Sequence, residues 1–378
     1  MIQIINKENC CGCNACGDIC PKQAISFKND NEGFWYPEVD MQKCIDCSLC
    51  EKICPCLNEK ETHKPLEVYA AVNPDEEIRM KSSSGGVFWM LVEHTIGDGG
   101  VVFGAAFDDN EWMVCHSLAE SLEEAKKFRG SKYVQSRVNG CYKEVQDALK
   151  LGRKVLFSGT ACQIAALKEY LRKDHDNLLT VDVVCHGVPS PGIWNEYIKT
   201  LSSTKTIKNI NFRDKRSGWR NYDFSVQFSD GSELKESHNK NLYMIGFLHD
   251  LYLRPSCHSC KFKACRCGSD ITLGDFWGIG KVVPELDDDR GVSIVLINTF
   301  KGKGVINSLP FSYKEVNCED AIKGNPCISI ATPENRWRSE FMAKYKGNCR
   351  FDTISTIVKK MRPSLFERCL RKIKKIVR

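Results

Sequence analysis

Eight cysteines near the amino terminus form the strongest chemical pattern in the chain. Cys10, Cys13, Cys16 and Cys20-Pro21 repeat as Cys44, Cys47, Cys50 and Cys54-Pro55, with identical C-x2-C-x2-C-x3-C-P spacing. A cubane iron–sulfur cluster needs four thiolates, and two-residue gaps let one short loop supply three of them. The proline after the fourth cysteine turns the chain toward the other motif, so that cysteine serves the other cluster. The spacing therefore assigns Cys10, Cys13, Cys16 and Cys54 to one [4Fe-4S] cluster, and Cys44, Cys47, Cys50 and Cys20 to a second. A pair of zinc knuckles is the competing use, but zinc sites rarely take such a doubled array. Cys11 and Cys56 are surplus to this set and read as structural.

A second group of thiols lies far downstream. Cys162 sits in Gly159-Thr160-Ala161-Cys162-Gln163, where a helix begins after a strand and the helix dipole favours a thiolate. Cys185, in Cys185-His186-Gly187-Val188-Pro189, closes the next strand. If the two strands are parallel neighbours, both cysteines lie at the carboxyl edge of a sheet, where such sheets bind cofactors. With Cys257 and Cys260 they would complete a third four-thiolate site. Two alternatives stay open: a compact local site of Cys257, Cys260, Cys265 and Cys267, or Cys162 and Cys185 as buried small apolar residues.

The elements that must position these thiols are legible in outline. Val155–Phe157, a turn, a helix through Leu171 and a strand from Leu178 to Val184 make a βαβ unit. Val101–Phe107 and Val292–Ile297 read as buried strands, Val87–Ile96 as a helix, and 222–236 as a hairpin turning at Asp230-Gly231. The polar stretch 58–65 reads as a linker. The expected order is an α+β ferredoxin-like two-cluster domain over 1–60 and an α/β flavin-binding domain over 61–350, the latter with parts 66–148 and 149–330.

Composition narrows the function classes. The chain has 378 residues, 22 of them cysteine, and a formal net charge of +6. In a reducing compartment that cysteine load implies metal rather than disulfides and argues against an ordinary hydrolase. No apolar run reaches the roughly 18 residues needed to span a bilayer, and no secretory leader is evident, so a cytoplasmic protein is expected. Residues 359–378 hold nine Lys/Arg and one acid, Glu367, leaving the body slightly acidic. No nucleic-acid surface is expected. In the tail, Leu365, Phe366, Cys369, Leu370, Ile373, Ile376 and Val377 share one helical face. That basic amphipathic helix suits weak docking to an anionic membrane or acidic partner, or packing on its own domain.

The first 56 residues resemble the bacterial two-cluster ferredoxins over their whole length. Residues 68–300 resemble the coenzyme F-420 hydrogenase/dehydrogenase beta-subunit family, bacterial branch. The matching segments are 82–88 (SSSGGVF), 129–134 (RGSKYV), 159–163 (GTACQ), 184–191 (VCHGVPSP) and 270–278 (DITLGDFWG). The sequence departs from the family at Ala161, where proline is expected, and in the extra Cys265 and Cys267. The resemblance implies an iron–sulfur flavoprotein oxidoreductase with FAD, and allows coenzyme F-420 as substrate.

A flavin also follows from electron counting, because clusters move single electrons whereas most organic reductions take two. Neither G-x-G-x-x-G after a strand nor a P-loop occurs, which leaves Ser82, Ser83, Ser84, Gly85 and Gly86 before a helix as the phosphate candidate. The plainer use of that loop is a serine helix cap. Arg129 and Lys132 could stabilise anionic reduced flavin or a substrate carboxylate, with Lys132 the catalytic candidate; isolated basic residues are also ordinary surface. Asp275 and Trp277 could flank the flavin ring or serve as core. His186 could act near a cluster or be structural. The expected partners are an external donor such as ferredoxin and an organic acceptor of unknown identity. The alternative is a non-catalytic electron-transfer subunit of a larger complex.

Overall fold

The computed structural model describes residues 1–108, 111–138, 140–346 and 351–360. In the first lobe, helices Ala15–Asp18 and Leu49–Lys52 follow the second cysteine of each motif closely and carry Cys16 and Cys50. Each is preceded by a residue in the left-handed region, Asn14 (φ 68°) and Ser48 (φ 58°), which curls the chain tightly enough to gather its thiols. Between the motifs, β1 (Ile25–Asn29) and β2 (Trp35–Val39) pair antiparallel. The cysteine pattern hides this hairpin from sequence reading.

The main sheet is built from β3 (Glu67–Val72), β4 (Val101–Phe107), β5 (Val114–Ala119), β6 (Val155–Thr160) and β7 (Leu178–Val183). Three later strands join it, after a separate small sheet of β8 (Ile207–Asp214), β9 (Asp223–Phe228) and β10 (Glu233–Ser237): β11 (Ile271–Asp275), β12 (Ser293–Ile297) and β13 (Ser312–Glu315). The order across the main sheet is β13-β3-β12-β11-β7-β6-β4-β5. Strands β11, β7, β6 and β4 run parallel in sequence across it, and β3 shares their direction because two antiparallel steps separate it from β11. Five carboxyl ends therefore open on one edge. The sheet takes strands from both 66–148 and 149–330.

The expected strands, the βαβ unit, the helix (Val87–Gly97) and the β9–β10 hairpin are all present. The small sheet packs with helices Pro191–Leu201, Leu242–Leu248, Arg338–Tyr345 and Phe351–Lys360 around an aromatic core that includes Trp194, Phe212, Phe224, Tyr243, Tyr252 and Phe341. Among the described residues no helix is long and apolar enough to cross a membrane. Of the expected tail helix over 359–378, residues 361–378 lie outside the described residues.

The first lobe is not a loosely tethered bead. Cys11, Ala15, Ile53 and Cys56 share one apolar cluster with Phe103 and Phe157 of the main sheet. Polar contacts pin the same face: Gln135 Nε2 donates to Cys11 O at 3.0 Å, Val138 N to Asn14 Oδ1 at 3.3 Å, and Ser190 Oγ to Glu32 O at 2.6 Å. Arg338 and Glu32 form an ion pair at 2.6 Å. Gly192 meets Gly33 so closely that a Cβ on Gly192 would lie 2.7 Å from Gly33 Cα and against the Tyr345 hydroxyl. Gly192→Val should therefore cost about 1–3 kcal/mol of stability through overpacking. A denaturant midpoint equal to wild type would show that the lobes do not meet there.

Candidate functional site

The thiols of the first lobe fall into two groups. Cys20, Cys44, Cys47 and Cys50 together line a small cleft walled by Pro21, Ile45 and Leu49. Backbone amides already face two of these sulfurs, Ile2 N on Cys50 Sγ and Ala24 N on Cys20 Sγ, each at 3.3 Å. In the other group, burial pushes the Cys16 thiol up, and the charges of Cys10, Cys54 and Cys50 add to it. A hydrogen bond with Cys11 draws the Cys13 thiol down, but burial and the charges of Cys16 and Cys54 carry it up to about 11. The fourth cysteine of each motif thus stands with the first three of the other. Cys11 and Cys56 are buried beside the second group, and Cys11 is hydrogen-bonded to Cys13, Cys162 and Cys56.

The downstream thiols converge at the carboxyl edge. Strands β6 and β7 are parallel neighbours with Thr160 opposite Val183, so Cys162 and Cys185 leave the sheet on the same side. Burial pushes the Cys185 thiol up; Lys263 opposes this, while the charges of Cys257, Cys162 and Cys260 reinforce it. Cys257 is pushed up to about 12, by burial first and then by Cys260 and Cys162. Cys162 moves the other way, down to about 7, through its hydrogen bonds with Cys11 and the Thr160 hydroxyl and the charge of Arg254. These four side chains therefore share one environment. Cys265 does not: it is pushed up to about 12 by burial and by the charges of Asp182 and Cys318. Cys267, also buried, faces Asp182 and Ser269. The compact set of Cys257, Cys260, Cys265 and Cys267 is split between two surroundings. Among the described residues no three His, Cys, Asp or Glu side chains close around a single metal ion.

Between these thiol groups lies Arg254. Its Nε donates to Cys10 O at 2.7 Å, and its Nη2 to Trp35 O at 3.0 Å and Cys10 Sγ at 3.5 Å. A buried guanidinium aimed at a thiol group is suited to sulfur atoms that carry negative charge.

The flavin candidates also gather at this edge, with corrections. Ser131 N and Oγ donate to Ser83 Oγ at 2.7 and 2.9 Å, joining the two segments that the sequence reading associated separately with flavin. The hydroxyls of Ser82 and Ser84 are committed to the carbonyls of Ile78 and Val292, each at 2.8 Å, so they do not face an anion. Nor is a serine the helix cap: Gly86 (φ 87°) holds that position without a side-chain cap, and of the first-turn amides Trp89 N turns back to Gly86 O at 3.2 Å. Gly85 is required by packing, because a Cβ there would strike Ala71 O and lie 2.6 Å from Ser293 N.

Arg129 lies over the Trp89 ring at 4.0 Å. Lys132 Nζ donates to the carbonyls of Lys127, Arg129 and Gly130 at 2.7, 3.1 and 3.3 Å, and burial lowers its pKa to about 7. Those three bonds make it a clasp for the 127–130 loop rather than a free proton donor. Asp275 pairs with Arg213 at 2.6 Å and accepts from Trp219 Nε1 at 2.9 Å, while Trp277 stacks on Trp219 with centroids 4.6 Å apart. His186 bridges Asp250 (2.5 Å) and Cys327 Sγ (3.6 Å). Burial works against its charge, but those two partners outweigh it and raise the pKa to about 9.

Residues 9–58 match the 4Fe-4S dicluster domain, and residues 152–316 match the carboxyl-terminal part of the coenzyme F420 hydrogenase/dehydrogenase beta subunit. The α/β lobe of this chain is thus similar to the coenzyme F420 hydrogenase/dehydrogenase beta-subunit family over residues 152–316, and the first lobe is similar to two-cluster ferredoxin domains. A solved structure described as a xenon derivatization of the F420-reducing [NiFe] hydrogenase complex from Methanosarcina barkeri contains a similar chain. It is 20% identical, with 79% of this chain and 93% of that chain covered and a TM-score of 0.47. No curated protein matches the chain.

In this beta-subunit-like chain, sequence reading missed Arg254, Arg213 and Lys215. Lys215 is buried, with Nζ donating to Arg79 O, Ser84 O and Arg290 O at 2.6, 3.0 and 2.7 Å, and so anchors the serine loop. A single basic residue has no spacing to betray it, although Arg254 does stand three positions before Cys257. Arg213 is buried, and Asp275 is its carboxylate partner. Asp275→Asn should therefore destabilise the protein by about 3–5 kcal/mol, because it leaves the guanidinium charge unanswered. Replacing both partners with apolar residues should cost less. Urea denaturation checks this, and equal losses in the single and double variants would contradict it.

Proposed function

We propose that this chain is an iron–sulfur flavoprotein oxidoreductase that passes electrons between a ferredoxin-type donor and an organic acceptor. The observation that carries the reading is the joint environment of Cys162, Cys185, Cys257 and Cys260 on a carboxyl edge next to the first-lobe thiols. Cys10, Cys13, Cys16 and Cys54 would hold one [4Fe-4S] cluster, Cys20, Cys44, Cys47 and Cys50 the second, and this downstream set a third. Bound clusters supply one-electron transfer, and bound FAD links one-electron to two-electron chemistry.

The chain's own residues prepare for these groups. A cubane takes four thiolates, the number that each of these three sets supplies. Ligation requires deprotonated thiols, and of this set Cys162 is the one drawn down, while burial and mutual charge push Cys185, Cys257 and Cys260 up. The Val87 and Phe88 amides at the start of Val87–Gly97 would be the donors for a flavin phosphate, with Arg129 and the Ser83–Ser131 pair on the flanking loop. Lys132 fixes that loop, and Asp275 holds Arg213 at the end of β11. Coenzyme F-420 is a candidate acceptor by family alone.

The second reading, a non-catalytic subunit that docks to a larger enzyme, draws on the rim of the first lobe. Cys47 is exposed there, with Met41 and Ile45 at 63% and 58% exposure on the same loop. Such a rim suits contact with a protein donor in either reading. A flavin-containing preparation that reduces a small acceptor supports the enzyme; a flavin-free one supports the subunit.

Two variant sets test the ligand assignment. Cys20→Ala should damage the cluster held mainly by Cys44, Cys47 and Cys50; loss confined to the Cys10, Cys13 and Cys16 site, read by cluster-resolved spectroscopy, would refute the crossed arrangement. Cys162→Ala should remove about 4 Fe per chain while Cys265→Ala leaves iron unchanged. The reverse pattern would move the third site to the local cysteines. For flavin, Gly85→Asp is confounded by packing, so Arg129→Ala is the better probe. Its expected result is reduced FAD at full iron content, and unchanged FAD would take Arg129 out of the site.

A further inference from the structure

The fold buries Arg254 completely, at 0% exposure, and among the described residues no carboxylate stands with the groups whose charge acts on it most. The charges that act on it most are those of Cys10, Tyr36, Cys11 and Cys257. Burying an ion costs several kcal/mol unless an opposite charge answers it. Besides the bonds to Cys10 and Trp35, Nη1 donates to the neutral amide oxygen of Gln135, Oε1, at 3.1 Å. Gly12 permits the approach, since a Cβ on it would lie 2.7 Å from Nη1.

The same residue braces the downstream thiols through its backbone. Arg254 O accepts from Cys257 N at 2.8 Å, and Arg254 N donates to Val188 O at 3.0 Å. Val188 N in turn faces Cys257 Sγ at 3.4 Å. The guanidinium therefore touches a thiol of the first lobe, while the peptide on either side of it holds a thiol of the third group. Its charge also reaches Cys162.

We propose that Arg254 is the shared counter-cation of two cluster sites, that of Cys10, Cys13, Cys16 and Cys54 and that of Cys162, Cys185, Cys257 and Cys260, and that it raises both reduction potentials together. The proposal rests on the three-cluster reading above. Reduction adds negative charge to a thiolate-ligated cluster, so a cation fixed nearby stabilises the reduced form. One charge placed between two sites acts on both, which keeps them level as successive stations for an electron. The remaining site, of Cys20, Cys44, Cys47 and Cys50, contributes none of the leading charges on Arg254 and serves as an internal control. Arg254 acts through the thiols and is a positioning residue.

The test is an anaerobic redox titration of the full chain followed by electron paramagnetic resonance, with iron counted per chain. Arg254→Gln is expected to lower the potentials of the two flanking clusters together and leave the control cluster in place. Arg254→Lys, which keeps the charge, is expected to restore most of the shift. If Arg254→Gln fails to assemble, Gln135→Glu replaces it, since a carboxylate at that position neutralises the cation where it stands and must lower both potentials. Unmoved potentials, a shift in only one cluster, or equal shifts in the lysine and glutamine variants would overturn the proposal. Wild-type iron at about 8 per chain instead of about 12 would show that the three-cluster reading had failed, and the shared role with it.

Discussion

A buried positive charge with no carboxylate partner among the described residues is the constraint around which the two lobes are arranged. Arg254 reaches across from the α/β lobe to the first cysteine motif, and its hydrogen bonds go to backbone oxygens, an amide and a sulfur. Neutral acceptors can satisfy its N–H groups but cannot repay the desolvation of its charge. Thiolates gathered around it can. The apolar cluster that joins Cys11 and Cys56 to Phe103 and Phe157 excludes water from the same junction, so each charge there acts at longer range than at the surface.

From that junction the remaining chemistry is laid out along one sheet edge. Parallel strands bring Cys162 and Cys185 to the edge beside the first lobe, and β11 ends on Asp275 farther along it. Tyr133 ties the two regions: its hydroxyl is 3.4 Å from Arg213 Nη1, and it follows the Lys132 clasp directly. The serine loop is tied down from several directions, by Lys215, by Ser131 and by Ser293, whose Oγ accepts from Gly85 N at 3.0 Å. A loop restrained in this way presents its following helix amides at a fixed position, which is what an anion site needs.

Much of this was legible in the residues because the relevant constraints are local. Cluster-ligand spacing is written in consecutive residues, and the βαβ pattern around Cys162 implied a common edge with Cys185. The hairpin β1–β2 was not legible, since its two five-residue strands are short and lie inside the cysteine repeat. The aromatic core was missed for another reason: Trp194, Phe224, Tyr243 and Phe341 come from segments that meet only in three dimensions. Ser82, Ser84 and Gly85 have the composition of a phosphate loop, yet carbonyl acceptors and close backbone packing account for all three. The three neighbouring carbonyls that Lys132 Nζ meets likewise leave no trace in a sequence. Arg254 carries no periodic signal at all, although its burial makes it the most consequential side chain at the junction.

The central claim is that twelve cysteines of this chain hold three clusters and that a flavin sits beyond them. Quantitation of iron, sulfide and flavin on wild-type protein prepared anaerobically tests it most directly. The expected result is about 12 iron and about 12 sulfide per chain together with one FAD. Iron and sulfide of about 8 each with no flavin would contradict it, leaving a two-cluster electron carrier joined to an α/β lobe with another purpose.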